Sequence, residues 1–260
     1  MTSFDKSLIA TRFSRAANSY DTVADVQLAI GGWLLQSIQH QQDVTSALDI
    51  GCGSGALTAQ LAERLPIAQV DAIDIAEGML DLAAEIHAHP QVSYYVGDAE
   101  EIPFEEKVFD LVFSNFVLQW CPNPVQALTE MRRVLCRGGQ LVLSLPGEGT
   151  LAELAAAWRA ADDAPHVHAF VSEDEFADQV AAAGFAHADI IQRTLRVHVP
   201  DTLTLMRALK SLGARNLHPG RAAHLTGRSA LQKVIAAYEA RREPAGLPVT
   251  WKVLMLVARR

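Results

Sequence analysis

The sequence predicts an α/β protein with a seven-stranded, mostly parallel sheet whose last strand runs antiparallel. First, five short apolar segments alternate with helical patterns up to Leu145, which is typical of a parallel sheet covered on both faces. Second, two more strand patterns follow with a helical segment between them, an arrangement that a simple doubly wound fold does not produce. Third, three alternate glycines directly follow the first strand pattern, and Asp74 ends the second.

The first part of the chain is expected to supply the parallel strands. Strands are predicted at Ser46–Ile50, Gln69–Asp74, Val92–Val96, Leu111–Asn115 and Gln140–Leu145. Helices are predicted at Ala56–Leu65, Gly78–His87 and Pro124–Leu135, and the turn Arg137-Gly138-Gly139 is expected to close the last of them. Right-handed crossovers place the carboxyl ends of these strands, and hence any ligand, at one edge of the sheet.

The remaining segments add strands and a helical cover. Residues 5–40 have helical spacing, as do Leu151–Ala161 and Glu173–Ala183, the last beginning with a capping box at Ser172. Strands are predicted at His187–Val199 and Val249–Ala258. We therefore expect one domain over residues 1–260, composed of an N-terminal helical lid (1–40), a core (41–199), a helical insertion (201–245) and a final strand (249–258).

Composition narrows the class of protein. Half of the 260 residues are hydrophobic, yet no apolar run approaches the roughly 18 residues of a membrane helix. The N-terminal residues carry no hydrophobic signal region, and the three cysteines lack CxxC spacing, so we expect a cytoplasmic chain without disulfides or structural zinc. The pairs His87/His89 and His166/His168 have no further ligands at metal spacing, so no metal site is expected.

Charge is distributed unevenly along the chain. Residues 201–260 hold eleven Lys and Arg against three Asp and Glu, whereas the whole chain has a net charge of −8. A basic segment on an acidic protein can steer an acidic partner, although the same charges can simply cover exposed helix faces. Nucleic acid is a poorer partner, because the acidic remainder would repel its phosphates.

The glycine motif predicts a ligand that contains adenosine. Gly51, Gly53 and Gly55 let the backbone approach a ligand closely, and Asp74, about 20 residues on, can accept ribose hydroxyls. Gly51, Gly53 and Ala56 also fit the dinucleotide fingerprint of nicotinamide dehydrogenases.

Four features favour another adenosine ligand over a dinucleotide. Asp49 precedes the first glycine, where it would repel a pyrophosphate but attract an amino-acid ammonium. Asp98, after the third strand, can accept from an adenine amino group, and Asn115 ends the fourth strand at the same edge. Finally, no second domain carries an evident hydride-transfer motif.

These residues together resemble the class I S-adenosylmethionine-dependent methyltransferases. The resemblance implies that Asp49 and the loop of Gly51, Gly53 and Gly55 face the methionyl part of the cofactor, and that Asp74 binds its ribose. The resemblance further implies contacts near the adenine and the sulfonium, from Met79, Asp98, Ala99 and Asn115. Met79 could also be plain helix core, and Asp98 a turn former.

Motifs outside this core resemble the malonyl-acyl carrier protein O-methyltransferases of biotin synthesis. They are Arg12-Phe13-Ser14-Arg15-Ala16-Ala17 with Ser19-Tyr20-Asp21, Ser114–Cys121, and Met206–Arg221. The resemblance implies methyl transfer from S-adenosyl-L-methionine to the free carboxylate of a malonyl thioester, leaving S-adenosyl-L-homocysteine. It implies an acyl carrier protein as partner, and the basic segment 201–260 would be the surface on which that carrier docks. We expect no metal, membrane or nucleic acid as a partner, and we expect a monomer.

Three residues are expected to serve catalysis. A guanidinium fork matches a carboxylate bidentately, so Arg207 is predicted to clamp the malonyl carboxylate, and Lys210 lies one helical turn on. Tyr20 is expected to reach the transferred methyl and orient the substrate, though it could instead anchor the N-terminal helices. Trp120 lines the acyl path or belongs to the core.

Three other functions remain as alternatives. They are a quinone or small-molecule methyltransferase of the same fold, a non-catalytic cofactor-binding protein, and a dehydrogenase. Each leaves the motif at Met206–Arg221 without a role.

Overall fold

The computed structural model describes residues 11, 21–40, 43–65, 69–162, 164, 166–211 and 227–260, with backbone alone at 21–24, 210 and 211. Its centre is a seven-stranded sheet in the order β3-β2-β1-β4-β5-β7-β6. The first five strands are parallel to one another, and β7 runs antiparallel to both β5 and β6. The predicted fold class, including the reversed last strand, is confirmed.

The strands lie close to their predicted positions. They are β1 (Ser46–Ile50), β2 (Gln69–Asp74), β3 (Val92–Val96), β4 (Phe109–Asn115), β5 (Leu135–Pro146), β6 (His187–Val199) and β7 (Leu247–Arg259). The central strands are buried on both faces, which explains why they appear in the sequence as continuous apolar runs.

The helices alternate with the strands as the spacing predicts. They are α1 (Asp21–Gln36), α2 (Ala56–Arg64), α3 (Glu77–Ile86), α4 (Pro124–Val134), α5 (Ala152–Trp158), α6 (Glu173–Ala182), α7 (Thr202–Ser211) and α8 (Arg228–Glu239). Three helix starts in the described chain have side-chain caps. Asn123 accepts from the Gln126 amide in α4, Ser172 from the Glu175 amide in α6, and Asp201 from the Thr204 amide in α7.

One predicted turn is wrong in its details. Helix α4 ends at Val134 and passes directly into β5, so the glycine pair Gly138-Gly139 lies inside the strand rather than closing the helix. The register of β5 against β4 shifts there, and Gly138 has a φ of 80°. A bulge accommodates the extra residues, and glycine tolerates the left-handed backbone that it requires.

Side chains on the two faces of the sheet form two cores. One face packs against α1, α2, α5, α7 and α8, with Phe113, Val142 and Val253 among its strand residues. The other face packs against α4 and α6, with Val112, Leu141 and Leu254 among its strand residues. Neighbouring residues of one strand thus go to opposite faces, as the twofold period of a strand requires.

The helical insertion and α1 pack on the same face of the sheet. Leu205 of α7 and Val234 and Tyr238 of α8 are buried with Ile30 and Leu34 of α1. Tyr238 also donates to the Pro248 carbonyl at 2.8 Å, which fixes α8 to the start of β7. Among the helices described, none combines the length and hydropathy needed to cross a bilayer.

Candidate active site

A cavity of about 790 Å³, counted out to its open mouth, lies at the carboxyl edge of the sheet. The cavity is lined by Gln27, Ile50, Gly51, Gly53, Asp74, Ile75, Met79, Gly97, Asp98, Ala99, Asn115, Phe116, Val117, Trp120 and Cys121. We call it the cofactor cavity. The edge on which it lies is the one that right-handed crossovers predict.

The backbone of the glycine loop forms one wall of the cofactor cavity. Gly51 has a φ of 70°, and a Cβ on it would lie 2.1 Å from Cγ2 of Val117. The amides of Gly51 and Cys52 both donate to the Ile73 carbonyl, at 2.7 and 3.1 Å, and tie the loop to the end of β2. Any side chain at position 51 would force Val117, another lining residue, to move.

Asp74 is held in place by backbone donors. Its Oδ2 accepts from the Gly53 amide at 2.9 Å and its Oδ1 from the Ala76 amide at 2.8 Å. Burial raises the pKa of this carboxyl above its ordinary value, although these hydrogen bonds oppose the shift. The carboxylate is therefore oriented toward the cavity before any ligand arrives.

Two predicted cofactor residues lie behind the wall rather than in it. Asp49 is only 2% exposed and accepts from the Thr58 hydroxyl at 2.6 Å. Burial raises the pKa of Asp49 to about 7. Gly55 begins α2 with a φ of 82°, and a Cβ there would lie 2.8 Å from both Ala83 Cβ and the Tyr94 hydroxyl oxygen.

The segment after β3 forms the opposite wall. Asp98 and Ala99 line the cavity, and Oδ1 of Asp98 also accepts from the Glu100 amide at 2.9 Å. Met79 is 1% exposed and belongs to α3, yet it too lines the cavity. Asp98 thus both forms a turn and lines the cavity, and Met79 is both a buried helix residue and a lining residue; their contacts with a cofactor stay predictions.

Asn115 connects three elements at the cavity. Its Oδ1 accepts from the Ser144 hydroxyl of β5 at 2.6 Å, and its Nδ2 donates to the Gln27 carbonyl of α1 at 3.1 Å. Ser144 is buried, so the amide of Asn115 has a fixed orientation. This contact brings α1 to the carboxyl ends of β4 and β5.

Several lining residues were not assigned to the site from the sequence. They are Gln27, Ile50, Ile75, Gly97, Phe116, Val117 and Cys121. Five of them sit just after β1–β4 or at a strand end, a position that marks ligand contact in a parallel sheet. Gln27 lies far away in the sequence, and only the packing of α1 brings it to the cavity.

The predicted catalytic residues are not brought into the cofactor cavity by the described part of the chain. Tyr20 lies outside the described residues. Arg207 is exposed on α7 and does not line the cavity, and Lys210 is in the same helix with its side chain undescribed. Their roles stay predictions.

Titratable side chains other than carboxylates and Cys121 are scarce around the cavity. Of the residues described, the lining set holds no His, Lys or Arg. Nor do three His, Cys, Asp or Glu side chains gather as metal ligands anywhere in the described ranges.

Comparison with known proteins places the chain in a family. The model of the methyltransferase domain family matches residues 48–143, which span the strands and loops of the cofactor cavity. A biotin biosynthesis bifunctional protein from Cellvibrio japonicus is 44% identical over 98% of this chain, which spans half the length of that relative.

Two further comparisons agree. The solved phosphoethanolamine N-methyltransferase 2 of Haemonchus contortus, in complex with S-adenosyl-L-methionine, superposes with a TM-score of 0.60 at 19% identity over 95% of this chain and 57% of that one. A malonyl-[acyl-carrier protein] O-methyltransferase from Alcanivorax borkumensis is 38% identical over 98% of this chain and 87% of its own length. The chain therefore belongs to the malonyl-[acyl-carrier protein] O-methyltransferase family.

Proposed function

We propose that this chain transfers the methyl group of S-adenosyl-L-methionine to the free carboxylate of a malonyl thioester carried by an acyl carrier protein. The product would be the malonyl methyl ester with which biotin synthesis begins its acyl chain. The observation that carries the proposal is the pre-oriented Asp74 carboxylate in a cavity at the sheet edge, in a chain whose relatives are malonyl-[acyl-carrier protein] O-methyltransferases.

The lining residues fit an adenosine ligand. An ionised carboxylate has about four acceptor positions, and the backbone of Gly53, Ala76 and Ile75 donates to Asp74. The acceptor capacity that remains would serve the ribose. Asp98 and Ala99 would face the adenine edge and Met79 its ring.

The methionyl part would lie along the glycine loop. Gly51 and Gly53 present backbone there, with Asp49 directly behind. A bound ammonium would favour the ionised form of Asp49, whose pKa burial has raised to about 7. When bound, the cofactor supplies a methyl group on a positively charged sulfur.

The acceptor requires no general base. A malonyl carboxylic acid titrates at about 4, so its oxygen is already an anion at neutral pH. No proton therefore has to be removed before that oxygen attacks the methyl group. The protein's contribution is then alignment of the oxygen with the methyl group and exclusion of water.

A cation must hold the acceptor carboxylate. We assign this role to Arg207, with Lys210 assisting, and we assign orientation of the substrate to Tyr20, which immediately precedes α1. Helix α1 reaches the cavity through Gln27, and Leu205 of α7 is buried in the same core as α1. Residues 1–40 and 201–245 would thus cover the cavity as two parts of one lid, and cofactor should protect both from protease.

The partner is an acidic carrier. Arg207, Arg228, Lys233 and Arg241 are exposed on or next to the helices of the insertion. Arg242 in the same region pairs with Glu239, but the exposed set gives the insertion a positive surface. Such a surface would guide an acidic carrier to the lid.

The test uses purified chain, labelled S-adenosyl-L-methionine and carrier protein loaded with malonyl, succinyl or acetyl thioester. We expect a gain of one methyl mass on the malonyl carrier and none on the acetyl carrier, which lacks a free carboxylate. Equal labelling of succinyl carrier would remove the malonyl specificity. No labelling of any carrier, together with labelling of a quinone, would establish the alternative methyltransferase.

A substitution at Tyr20 tests whether its hydroxyl orients the substrate or its ring only anchors the N-terminal helices. Tyr20→Phe should keep the fold and the cofactor affinity and lose most turnover on the malonyl carrier. Unchanged turnover would remove the Tyr20 hydroxyl from the site.

A further inference from the structure

A second cavity of about 750 Å³ adjoins the cofactor cavity. Cys121 lines both cavities. A 3₁₀ turn (Leu118–Trp120) lies between them, and its residues Leu118 and Gln119 line the second cavity. The second cavity opens at the carboxyl ends of β4 and β5, between that turn and α6, so it lies directly beside the place where the acceptor must meet the methyl group.

The walls of this second cavity are anchored to the sheet. Val171 pairs with Gly147 just after β5, and the Glu148 amide donates to the Val171 carbonyl at 2.9 Å. On the opposite side, Nε2 of Gln119 donates to the carbonyl of Phe116 at 2.7 Å. The second cavity is therefore bounded by segments that are hydrogen-bonded near the carboxyl edge of the sheet. It lies on the opposite face of the sheet from α1 and α7.

Its lining is suited to a neutral, amide-containing chain. Among the residues described there, none is Lys or Arg, and Glu175 is the acidic one. A carboxylate or phosphate would therefore meet no ammonium or guanidinium group among these residues. The remaining surface mixes apolar groups with hydrogen-bonding side chains, among them His168 and Gln179.

One buried acceptor in the wall lacks a partner. Oε1 of Gln119 is inaccessible to water and has no hydrogen-bond partner in the part of the chain described. An unsatisfied buried acceptor costs about 1–3 kcal/mol. Rotation of the Gln119 amide toward the cavity would let a ligand N–H satisfy this oxygen.

We infer that the second cavity holds the pantetheine arm of the acceptor, a neutral linear chain with two amide groups that ends in the thioester. This inference rests on the proposed function. With the arm between the 3₁₀ turn and α6, the malonyl head passes Cys121 into the cofactor cavity, and its carboxylate lies away from Glu175. A carrier docked on the insertion would extend the arm across the carboxyl edge of the sheet, because α7 and α8 pack on the other face.

The test fills the cavity without altering the cofactor cavity. Ala169 is exposed and lines only the second cavity, so Ala169→Trp should block it and leave the fold intact. The matched control is Ala186→Trp, at an exposed turn position that lines neither cavity. Two acceptors are compared: malonyl-pantetheine, and the malonyl thioester of ethanethiol, which has no arm.

We expect Ala169→Trp to raise KM for malonyl-pantetheine about tenfold, the equivalent of about 1.4 kcal/mol of lost binding. KM for the ethanethiol ester should stay within about twofold, and Ala186→Trp should change neither. Equal losses on both acceptors, or no loss on either, would overturn the inference.

A binding measurement separates this inference from the proposed function. Pantetheine is titrated calorimetrically into wild type and Ala169→Trp with S-adenosyl-L-homocysteine present. If wild type binds pantetheine and Ala169→Trp does not, the second cavity is supported as the pantetheine site, even if no malonyl thioester is methylated. If wild type does not bind pantetheine and both thioesters are methylated equally well, the inference about the second cavity is rejected and the proposed reaction stands.

Discussion

Asp49 is the penultimate residue of β1 and Asp74 is the last residue of β2, yet their surroundings differ. Asp74 lines the cofactor cavity and is oriented by backbone amides, whereas Asp49 is enclosed and has the Thr58 hydroxyl as its donor. Burial raises the pKa of both carboxyls, and that of Asp49 reaches about 7. Asp74 therefore lies where a ligand in the cavity can reach it, whereas Asp49 lies behind the wall of the cavity.

Replacing Asp74 should weaken cofactor binding. Asp74→Asn keeps the size of the side chain but substitutes an NH₂ donor for one acceptor oxygen, opposite a backbone N–H. We expect a loss of about ten- to a hundredfold in affinity for S-adenosyl-L-methionine, measured by calorimetry. Asp71→Asn, on the same strand outside the cavity, is the control; comparable affinities for the two variants would contradict the role of Asp74.

Asp49 should make the stability of the protein depend on pH. Its carboxyl titrates at about 4 when unfolded and at about 7 when folded. Between these values the folded chain keeps a proton that the unfolded chain has released. The free energy of unfolding therefore falls as pH rises through this window, and the stabilisation present below it is lost above about 7.

The measurement is urea unfolding at about pH 5 and about pH 8. Asp49→Asn should lose less stability between these values than wild type, while the exposed-site variant Asp43→Asn should behave as wild type. An unchanged difference in Asp49→Asn would show that Asp49 does not titrate in this window.

At the scale of elements, the start of α2 is a sterically constrained junction beside the site. Gly55 opens α2 against α3 and β3, whose Ala83 and Tyr94 leave no room for a Cβ. Gly138 in the β5 bulge has nearly the same φ, 80° against 82°, but a Cβ there would have nothing within 4 Å. Comparing the two glycines therefore separates the cost of a left-handed backbone, which both positions share, from the cost of a steric clash, which only Gly55 has.

Alanine substitutions at these glycines should therefore differ. Gly138→Ala should cost about 1–2 kcal/mol from the left-handed backbone alone. Gly55→Ala should cost about 1–3 kcal/mol more, because Ala83 or Tyr94 must shift. Equal midpoints in urea unfolding would show that the junction relaxes without cost.

A hydrogen-bonded pair on α4 connects that helix to the loop before β4. Glu130 accepts from the Ile102 amide, and Arg133 donates to the carbonyls of Phe104 and Ile102. Arg133→Met should destabilise the fold by about 1–3 kcal/mol and speed amide exchange at residues 101–105. Arg159→Met, at an exposed position, is the control and should change neither the stability nor the exchange rate. If amide exchange at residues 101–105 is unchanged in Arg133→Met, other contacts hold this loop in place.

For the molecule as a whole, exposed cations lie at both edges of the sheet. The insertion helices carry exposed cations near the lid, and Arg137 is exposed at the amino end of β5, the edge opposite the cofactor cavity. A carrier that docks electrostatically at the lid should sense the first group and not the second.

Lys233→Glu should accordingly raise KM for the malonyl carrier about threefold at low salt, with the difference shrinking as salt screens the charges. Malonyl-pantetheine, which has no protein to dock, should be unaffected. Arg137→Glu is the control. Loss of activity on both acceptors in Lys233→Glu would assign Lys233 to the fold or the active site instead of docking.

The sequence alone was enough to predict the sheet and the cofactor edge. Apolar runs, alternation and helix spacing are local properties of the sequence, so strands such as Ser46–Ile50 and His187–Val199 were predicted at their observed bounds. The glycine loop and Asp74 lie within one β-α-β unit, whose geometry is nearly invariant, so their meeting at one edge was predictable too.

Only the tertiary structure decided what depends on contacts between distant segments. The burial of Asp49 behind the loop, the approach of Gln27 to Asn115, and the bulge at Gly138 arise from packing between elements far apart in the chain. The second cavity likewise exists because α6 and the turn after β4 meet at the sheet edge. A pattern of residues records which face is buried, but not which partner buries it, because many partners satisfy the same apolar surface.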